Sequence, residues 1–289
     1  MRFHAKANEI AADEIVFDLE DSVAPAAKAD ARVAVIAALN TYAYAGKTKV
    51  VRVNAVDSAP YADDLVAIVE EAGSRIDCVM LPKAEFLEDI RAVDDALTQL
   101  ERKHDIELRI GLELQIESAR GMDRVSEIAA ASSRTETLVL GPGDLAASLR
   151  MPELSIGGRS TSYPGDIWHY FIARLVVAAR AYGLQPIDGP FADVRDENGL
   201  RDSARRAAAL GCDGKWAIHP AQVEVINEVF TPSQADVDRA AAILDAYAAA
   251  AERQKGAAML GDEMIDEASR RMAELVMERA NAYGLAPKR

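Results

Sequence analysis

Short runs rich in β-branched residues alternate along the chain with longer, alanine-rich stretches of helical periodicity. The alternation predicts seven strands, at residues 14–21, 49–54, 78–83, 108–117, 137–142, 184–190 and 214–220. Amphipathic stretches such as YADDLVAIVEEAG lie between them, with apolar residues at helical spacing. Strands that alternate with helices indicate βαβ units and a parallel sheet, and the continuous apolar runs fit a sheet that is covered on both faces.

The number of strands favours an α/β fold of the TIM-type (β/α)8 barrel class with its first strand missing. The chain opens with RFHAKANEIAA, which has helical periodicity and no strand before it. We therefore expect a barrel that is open at this point, or a chain start that falls too late. A doubly wound open sheet is the alternative fold. It is disfavoured because no GxGxxG follows the first strand and because polar residues end nearly every strand.

The C-terminal part of the chain has a different pattern, so we predict a barrel domain over residues 1–231 and a helical extension or lid over 232–289. TPSQADVDRAAAILDAYAAAAERQ predicts one long helix, with Ser233 as its N-cap and Asp236 completing a capping-box-like start. A glycine-containing break, KGAAMLGDEMID, and a second helix, EASRRMAELVMERANAYG, come next. The Gly-, Ser- and Pro-rich segment 151–171 predicts a long active-site loop.

Charge and cysteine content narrow the class of protein. The 289 residues carry a formal net charge of −14, from 33 Lys and Arg against 47 Asp and Glu, which makes nucleic acid an unsuitable partner. No apolar stretch approaches the roughly 18 residues of a membrane span, and the N-terminus lacks the apolar core of a signal peptide. Cys78 and Cys212 lie far apart and form no CxxC, which indicates buried free thiols. We expect a cytoplasmic protein.

Charged and polar residues stand at the ends of most predicted strands. In a barrel these ends converge on one mouth. The residues concerned are Asp18, Glu20, Asp21, Arg52, Asn54, Lys83, Glu117, Asp144, Asp188 and His219. Such a ring suits a divalent metal and an anionic substrate held by an arginine.

Glu117 and Asp144 are the candidate metal ligands. Each follows a hydrophobic run at the point where a glycine-containing loop and a helix begin. Two carboxylates at the same end of neighbouring parallel strands suit Mg²⁺, a hard cation that takes few protein oxygens and leaves room for substrate. The alternative is that they are N-caps or solvated helix-start acids, which also favour the positive end of a helix dipole.

Arg52 lies between valines in VVRVN, and a buried arginine needs an anionic partner. It forms a structural salt bridge to Glu20 or Asp21, or it holds a substrate carboxylate or a developing enolate oxygen. Glu20 and Asp21 themselves are predicted to hold metal-bound waters or to orient Arg52. His219, at the end of a strand, is equally compatible with a structural hydrogen bond and with a ligand contact.

Several segments resemble, in order, the HpcH/HpaI aldolase–citrate lyase β-subunit superfamily, and within it the malyl-CoA and β-methylmalyl-CoA lyases. The segments are FDLEDSVAPAAKADAR, VRVN, VMLPKAE, LELQIESARG, GPGDLAASL and GKWAIHPAQVEVINEVFTPS. The resemblance implies a (β/α)8 barrel with a C-terminal helical extension, assembled as a homotrimer or homohexamer. The family's opening strand, of the RSxLxVPG type, has no counterpart here.

The resemblance also implies roles for individual residues. Mg²⁺, or Mn²⁺ as an alternative ion, is held by the positions of Glu117 and Asp144, and Arg52 contacts the keto acid and the thioester oxygen. Asp266, in LGDEMID, matches an acid/base aspartate that a neighbouring subunit supplies; an N-cap role is the alternative for it. The coenzyme A contacts match Lys6, Ile218 and His219. Backbone N–H groups around Gly143 and Asp144, at a helix start, are candidates for binding the substrate carboxylate.

The implied activity is that of a Mg²⁺-dependent CoA ester lyase. It is the reversible Claisen cleavage of L-malyl-CoA or β-methylmalyl-CoA to glyoxylate and acetyl-CoA or propionyl-CoA. One alternative is a thioesterase or lyase of the same family that acts on malyl-CoA or citramalyl-CoA. Another is a non-catalytic CoA-binding paralogue disabled by loss of the first strand. An aldolase without CoA is disfavoured by GKWAIHP and by the long C-terminal extension.

Overall fold

A computed structural model describes residues 2–152, 154–158 and 163–288 of the chain, so the predicted loop 151–171 lies partly outside the described residues. All seven predicted strands form. They are β1 (Glu14–Asp18), β2 (Thr48–Arg52), β3 (Cys78–Leu81), β4 (Gly111–Ile116), β5 (Thr135–Leu140), β6 (Gln185–Asp188) and β7 (Gly214–Lys215). Every neighbouring pair is parallel, and the order in the sheet is the order in the sequence. The doubly wound alternative is therefore wrong, because such a sheet reverses its strand order at a switch point.

Helices connect the strands. In the described part of the chain the α-helices are α1 (Arg2–Ala7), α2 (Lys28–Thr41), α3 (Tyr61–Ala72), α4 (Leu87–Lys103), α5 (Ala119–Asp123), α6 (Val125–Ala129), α7 (Pro142–Ser148), α8 (His169–Ala181), α9 (Glu197–Leu210), α10 (Pro220–Phe230), α11 (Gln234–Glu252) and α12 (Glu267–Ala282). The sequence of α4 shows why such helices form. Acidic residues occupy its first turn and basic residues its last, which complements the helix dipole, while its apolar residues at helical spacing are buried.

The sheet curls into part of a barrel. One apolar cluster joins side chains from five of its strands and from the residue after β7, which a flat sheet could not bring together. The cluster contains Val16, Val50, Cys78, Met80, Val139, Ile187 and Trp216, the last directly after β7. The central strands β3 and β4 are buried along their whole length, as expected for strands that are covered on both faces.

Helix α1 precedes the first strand, as predicted, and no strand comes before it in the described residues. It is held beside the start of the sheet by Tyr44, a fully buried residue whose hydroxyl donates to the carbonyl oxygen of His4 at 3.2 Å. The ring of Tyr44 packs edge-on against Phe17 of β1, with ring centroids 5.3 Å apart. In the described residues the seven-stranded sheet thus begins at β1, after this helix.

The chain divides into two compact units, Met1–Ile226 and Asn227–Arg289. In the second unit α11 and α12 pack together. The predicted capping box is confirmed, since Ser233 and Asp236 exchange side-chain-to-backbone hydrogen bonds. Between the helices the predicted break is a β-hairpin, β8 (Ala258–Leu260) and β9 (Glu263–Ile265), which turns at Gly261 with φ +62°. Strands of three residues are too short to show a period-2 pattern, so the hydrophobic pattern does not predict them.

Both cysteines are free and buried, as predicted. Burial is the main cause that raises the pKa of each thiol, and nearby carboxylates add to it. In the described ranges, none of the helices combines the length and the apolar character that crossing a bilayer requires.

Candidate active site at the carboxyl ends of the strands

Arg52 is the last residue of β2, in register with Asp18, the last residue of β1. Its Nε and Nη2 donate to the two carboxylate oxygens of Asp18 at 2.8 and 2.7 Å, and its Nη1 donates to Gln115 Oε1 at 3.2 Å. The guanidinium lies over the ring of Trp216, 5.1 Å from the centroid. Burial raises the pKa of Asp18, but the hydrogen bonds and charge of Arg52 outweigh it and lower that pKa to about 2. Arg52 is therefore a fixed, fully charged fork.

Of the two salt-bridge partners considered for Arg52, Glu20 is confirmed, but the closer partner is Asp18, which was not predicted. Asp18 is the main partner because it ends a strand in register with Arg52, whereas the other two acids follow the strand. Glu20 is a second partner, with its Oε2 3.4 Å from Arg52 Nη1. The carboxylate of Asp21 is exposed and lies 3.8 Å from the ammonium of Lys83.

Lys83 follows β3 and turns the chain with φ +53°, a left-handed conformation that is uncommon for a residue with a side chain. Its backbone N–H donates to Glu117 Oε1 at 2.7 Å. Its ammonium forms an ion pair with Glu20 and lies 3.9 Å from Asp144 Oδ2. Lys83 thus interacts with acids that follow three different strands: Glu20 after β1, Glu117 after β4 and Asp144 after β5.

Glu117 directly follows β4 and its side chain is buried, with 3% of the residue exposed. Gly141, after β5, allows it to lie there. A Cβ at residue 141 would come within 2.4 Å of Glu117 Cβ and 2.5 Å of its Oε2. Burial is the largest cause that raises the pKa of Glu117 to about 8. The N–H of Lys83 opposes the increase, while the charges of Asp144 and Glu20 add to it.

Asp144 lies in the first turn of α7, and its side chain is 45% exposed. No side-chain hydrogen bond caps this helix, so Asp144 is not an N-cap. Gly143 precedes it, and a Cβ there would meet Ile156 at 3.2 Å. The sequence PGD therefore starts a helix whose first turn carries an acid beside Lys83 and Glu117.

These residues fit a magnesium ion. Glu117, Asp144 and Glu20 are mutually repelling carboxylates, and a hard divalent cation bound by carboxylate oxygens would relieve the repulsion. In the ranges that the structure describes, no group of three or more His, Cys, Asp and Glu side chains is arranged to hold a metal. A cation held by Glu117 and Asp144 would thus complete its shell with water and substrate oxygens, as Mg²⁺ commonly does.

The predicted coenzyme A contacts lie at exposed positions of the first unit. Lys6 is exposed on α1, and Ile218 and His219 are exposed in the turn between β7 and α10. The N–H of Ile218 donates to Gln222 Oε1 at 2.9 Å, and Gln222 in turn donates to the carbonyl oxygen of Phe191 at 2.8 Å. His219 Nδ1 accepts from a backbone N–H two residues later at 3.2 Å, so this ring nitrogen serves the turn itself.

Asp266 is the N-cap of α12 in the second unit. Its carboxylate accepts from the backbone N–H groups of Ala268 at 2.9 Å and Ser269 at 3.1 Å, and the Ser269 hydroxyl completes a capping box. The alternative role considered for this residue is therefore present. It does not exclude a chemical one, because a capping carboxylate keeps a second oxygen for another partner.

Sequence reasoning missed two groups of site residues. Gln115 and Trp216 contact Arg52 from β4 and from the end of β7, but each resembles an ordinary interior residue of an apolar run. Lys215 forms a fully buried ion pair with Asp188, 2.6 Å apart, and also donates to the carbonyl oxygen of Gly189 at 2.7 Å. A lysine inside the apolar run GKWAI was the available signal, since lysine is almost never buried without a partner.

A curled parallel sheet with carboxylates and an arginine at the ends of its strands defines a barrel-type aldolase site. The HpcH/HpaI aldolase/citrate lyase family pattern matches residues 2–220, and the chain belongs to this family. It is 43% identical over 279 residues to the L-malyl-CoA/beta-methylmalyl-CoA lyase of Cereibacter sphaeroides, covering 93% of this chain and 88% of that protein. A (3S)-malyl-CoA thioesterase of the same species is 34% identical over 265 residues, covering 90% and 84% of the two chains.

Solved structures agree with the fold. A citrate lyase from Burkholderia xenovorans LB400 superposes with a TM-score of 0.87 at 24% identity, covering 100% of this chain and 90% of that chain, and confirms the TIM-type architecture. CitE from Mycobacterium tuberculosis, crystallised with magnesium, acetoacetate and coenzyme A, has a TM-score of 0.74 at 31% identity, covering 96% and 91% of the two chains. The resemblance seen in the sequence is confirmed.

Proposed function

We propose that the protein is a Mg²⁺-dependent CoA ester lyase that cleaves L-malyl-CoA or β-methylmalyl-CoA to glyoxylate and acetyl-CoA or propionyl-CoA, reversibly. The observation that carries the proposal is the meeting of Glu117, Asp144 and Arg52 at one end of the sheet. The 43% identity to a lyase of this specificity over nearly the whole chain supports the choice of substrate.

Glu117 and Asp144 would hold the Mg²⁺. When bound, the ion supplies Lewis acidity for the substrate hydroxyl or the glyoxylate carbonyl oxygen. Gly143 would offer its backbone N–H at the start of α7 to the substrate carboxylate. Glu20 and Asp21 would hold metal-bound waters, and Glu20 also supports Arg52.

Arg52 would stabilise the thioester enolate that forms as the carbon–carbon bond breaks. Three of its N–H groups are engaged, two by Asp18 and one by Gln115. A guanidinium has about five such donors, so it keeps some for a substrate oxygen. Because Asp18 and Trp216 already fix the side chain, its charge faces the developing oxyanion with little reorganisation.

Asp266 would be the acid/base that delivers a proton to the α-carbon of the enolate in cleavage and removes it in condensation. It would come from a neighbouring copy of the chain, in a homotrimer or homohexamer. Lys6, Ile218 and His219 would contact the coenzyme A portion. Lys6 suits a phosphate group, and the exposed backbone and side chains of the 218–219 turn suit the remainder of the cofactor arm.

The proposal is tested by trapping glyoxylate with phenylhydrazine during incubation with L-malyl-CoA and with β-methylmalyl-CoA, in Mg²⁺ and in EDTA. Mg²⁺-dependent formation of the phenylhydrazone supports the lyase, and the faster substrate identifies the acyl group. No turnover of either substrate in Mg²⁺ contradicts it.

Thioester hydrolysis is the second candidate, favoured by the 34% identity to a (3S)-malyl-CoA thioesterase. The same residues would bind the substrate, and water would capture the acyl group. Release of malate and free coenzyme A without glyoxylate distinguishes this activity from the lyase.

A further inference from the structure

The side chain of Lys83 occupies the space between the acids of the candidate metal site. Its ammonium is paired with Glu20 and lies 3.8 Å from Asp21 and 3.9 Å from Asp144. Its charge also acts on Glu117, whose carboxylate is bonded to the backbone N–H of the same lysine. One residue thus contacts or faces four of the carboxylates at the mouth.

The position of Lys83 is fixed by its backbone, whereas its side chain is free to leave. The left-handed φ of +53° and the 2.7 Å bond to Glu117 hold the main chain beside the site. The side chain is 42% exposed, and a lysine stem has four rotatable bonds. Rotation about these bonds allows the ammonium to exchange partners without a change in the main chain.

We propose that Lys83 is a tethered cation that competes with the divalent metal for the carboxylates of Glu20, Asp21, Glu117 and Asp144. The lysine balances these charges in the metal-free protein and moves away when the metal binds. It is therefore a positioning residue that sets the affinity of the site for metal. This inference rests on the metal ligands of the proposed function.

The direction of the effect follows from Coulomb's law. An ammonium and a divalent cation a few ångströms apart repel each other even with water-like screening. Moving the lysine aside instead costs it the ion pair with Glu20. In either case a neutral side chain at residue 83 strengthens metal binding. A merely structural lysine would act in the opposite direction, since the loss of its side chain would release the carboxylate of Glu20 and so weaken binding.

The test is calorimetric titration of the purified protein with Mn²⁺ alone, comparing wild type with Lys83→Met and Lys83→Arg. We expect Lys83→Met to bind about tenfold more tightly and Lys83→Arg to remain near wild type, because it retains the charge. Lys49→Met is the matched control. It also removes one lysine from an ion pair, with Asp77 at 2.6 Å, but at the opposite end of the sheet, and its affinity should be unchanged.

A second measurement uses the wild-type protein and so does not depend on folding of the variants. Acetylation of Lys83 by an activated ester, followed by peptide mass spectrometry, should accelerate when Mn²⁺ is added. Unchanged or weaker Mn²⁺ binding by Lys83→Met, or a labelling rate that Mn²⁺ does not increase, refutes the competition while leaving the lyase proposal intact. Absence of Mn²⁺ binding by every variant and by wild type refutes the metal site itself.

Discussion

The pKa of Glu117 predicts that metal affinity depends steeply on pH. Burial, with the charges of Asp144 and Glu20, raises that pKa from 4.5 to about 8 in the metal-free protein. Only the carboxylate binds the ion, so the metal must displace a proton below about pH 8. The apparent dissociation constant should therefore rise roughly fivefold from pH 8 to pH 7, and about fiftyfold from pH 8 to pH 6.

Calorimetry provides the assay. Titrations with Mn²⁺ at pH 6, 7 and 8, each in two buffers of different ionisation enthalpy, give both the dissociation constant and the number of protons released. At pH 7 the release should be about 0.9 proton per ion, the fraction of Glu117 that is still protonated. Glu117→Gln is the control: its residual binding should be weak and almost independent of pH in this range.

The same shift has a consequence for stability with the opposite sign. A folded-state pKa above the unfolded value means that the folded protein binds the proton more tightly. The contribution of Glu117 to the stability of the metal-free protein should be fully present below pH 4.5 and lost as pH rises to about 8.

A metal affinity that stays constant between pH 6 and pH 8, with no proton release, would refute the assignment of Glu117 as a ligand with a raised pKa.

Substitutions at three residues, with a matched control, test other parts of the site. Asp266→Asn should keep the thermal midpoint, since asparagine is an equally good N-cap, but it should lose turnover. Asp266→Ala should lose turnover and also about 1 kcal/mol of stability. Full activity of the asparagine variant would exclude an acid/base role. Gly141→Ala should weaken Mn²⁺ binding at least tenfold in calorimetry, because its Cβ would collide with Glu117; Gly256→Ala, which meets nothing within 4 Å, should not. Arg52→Lys should lower kcat by roughly a hundredfold or more while Mn²⁺ affinity remains near wild type, and a normal kcat would show that the bidentate fork is not needed.

The strands and the location of the site could be predicted because each depends on local pattern. Apolar runs fix where strands form, and residues at the end of each run must lie at the mouth of a parallel sheet. That reasoning identified Glu117 and Asp144 and placed Arg52 among acids. It also anticipated the capping box of Ser233 and Asp236, which involves residues three apart in one helix.

The partner of Arg52 could not be predicted in the same way. Whether Arg52 pairs with Asp18, Glu20 or Asp21 depends on the register between β1 and β2. A shift of one residue in that register would change the partner, and the register is set by the whole sheet. The position of Lys83 depends on a left-handed backbone that sequence does not indicate for lysine. Trp216 reaches Arg52 only because the sheet curls, a property of all seven strands together.

The buried thiols have a practical use at the bench. Cys78 and Cys212 are enclosed and their pKa values are raised, so neither is a reactive thiolate near neutral pH. A chromogenic aromatic disulfide should therefore not react with the cysteines of the folded protein. It should react only with coenzyme A that is released into solution. A lyase passes the thioester on intact, whereas a hydrolase releases the thiol. Because the protein's own thiols do not react with the reagent, colour formation measures thioester hydrolysis alone. Lyase and hydrolase activity can therefore be distinguished in one continuous assay.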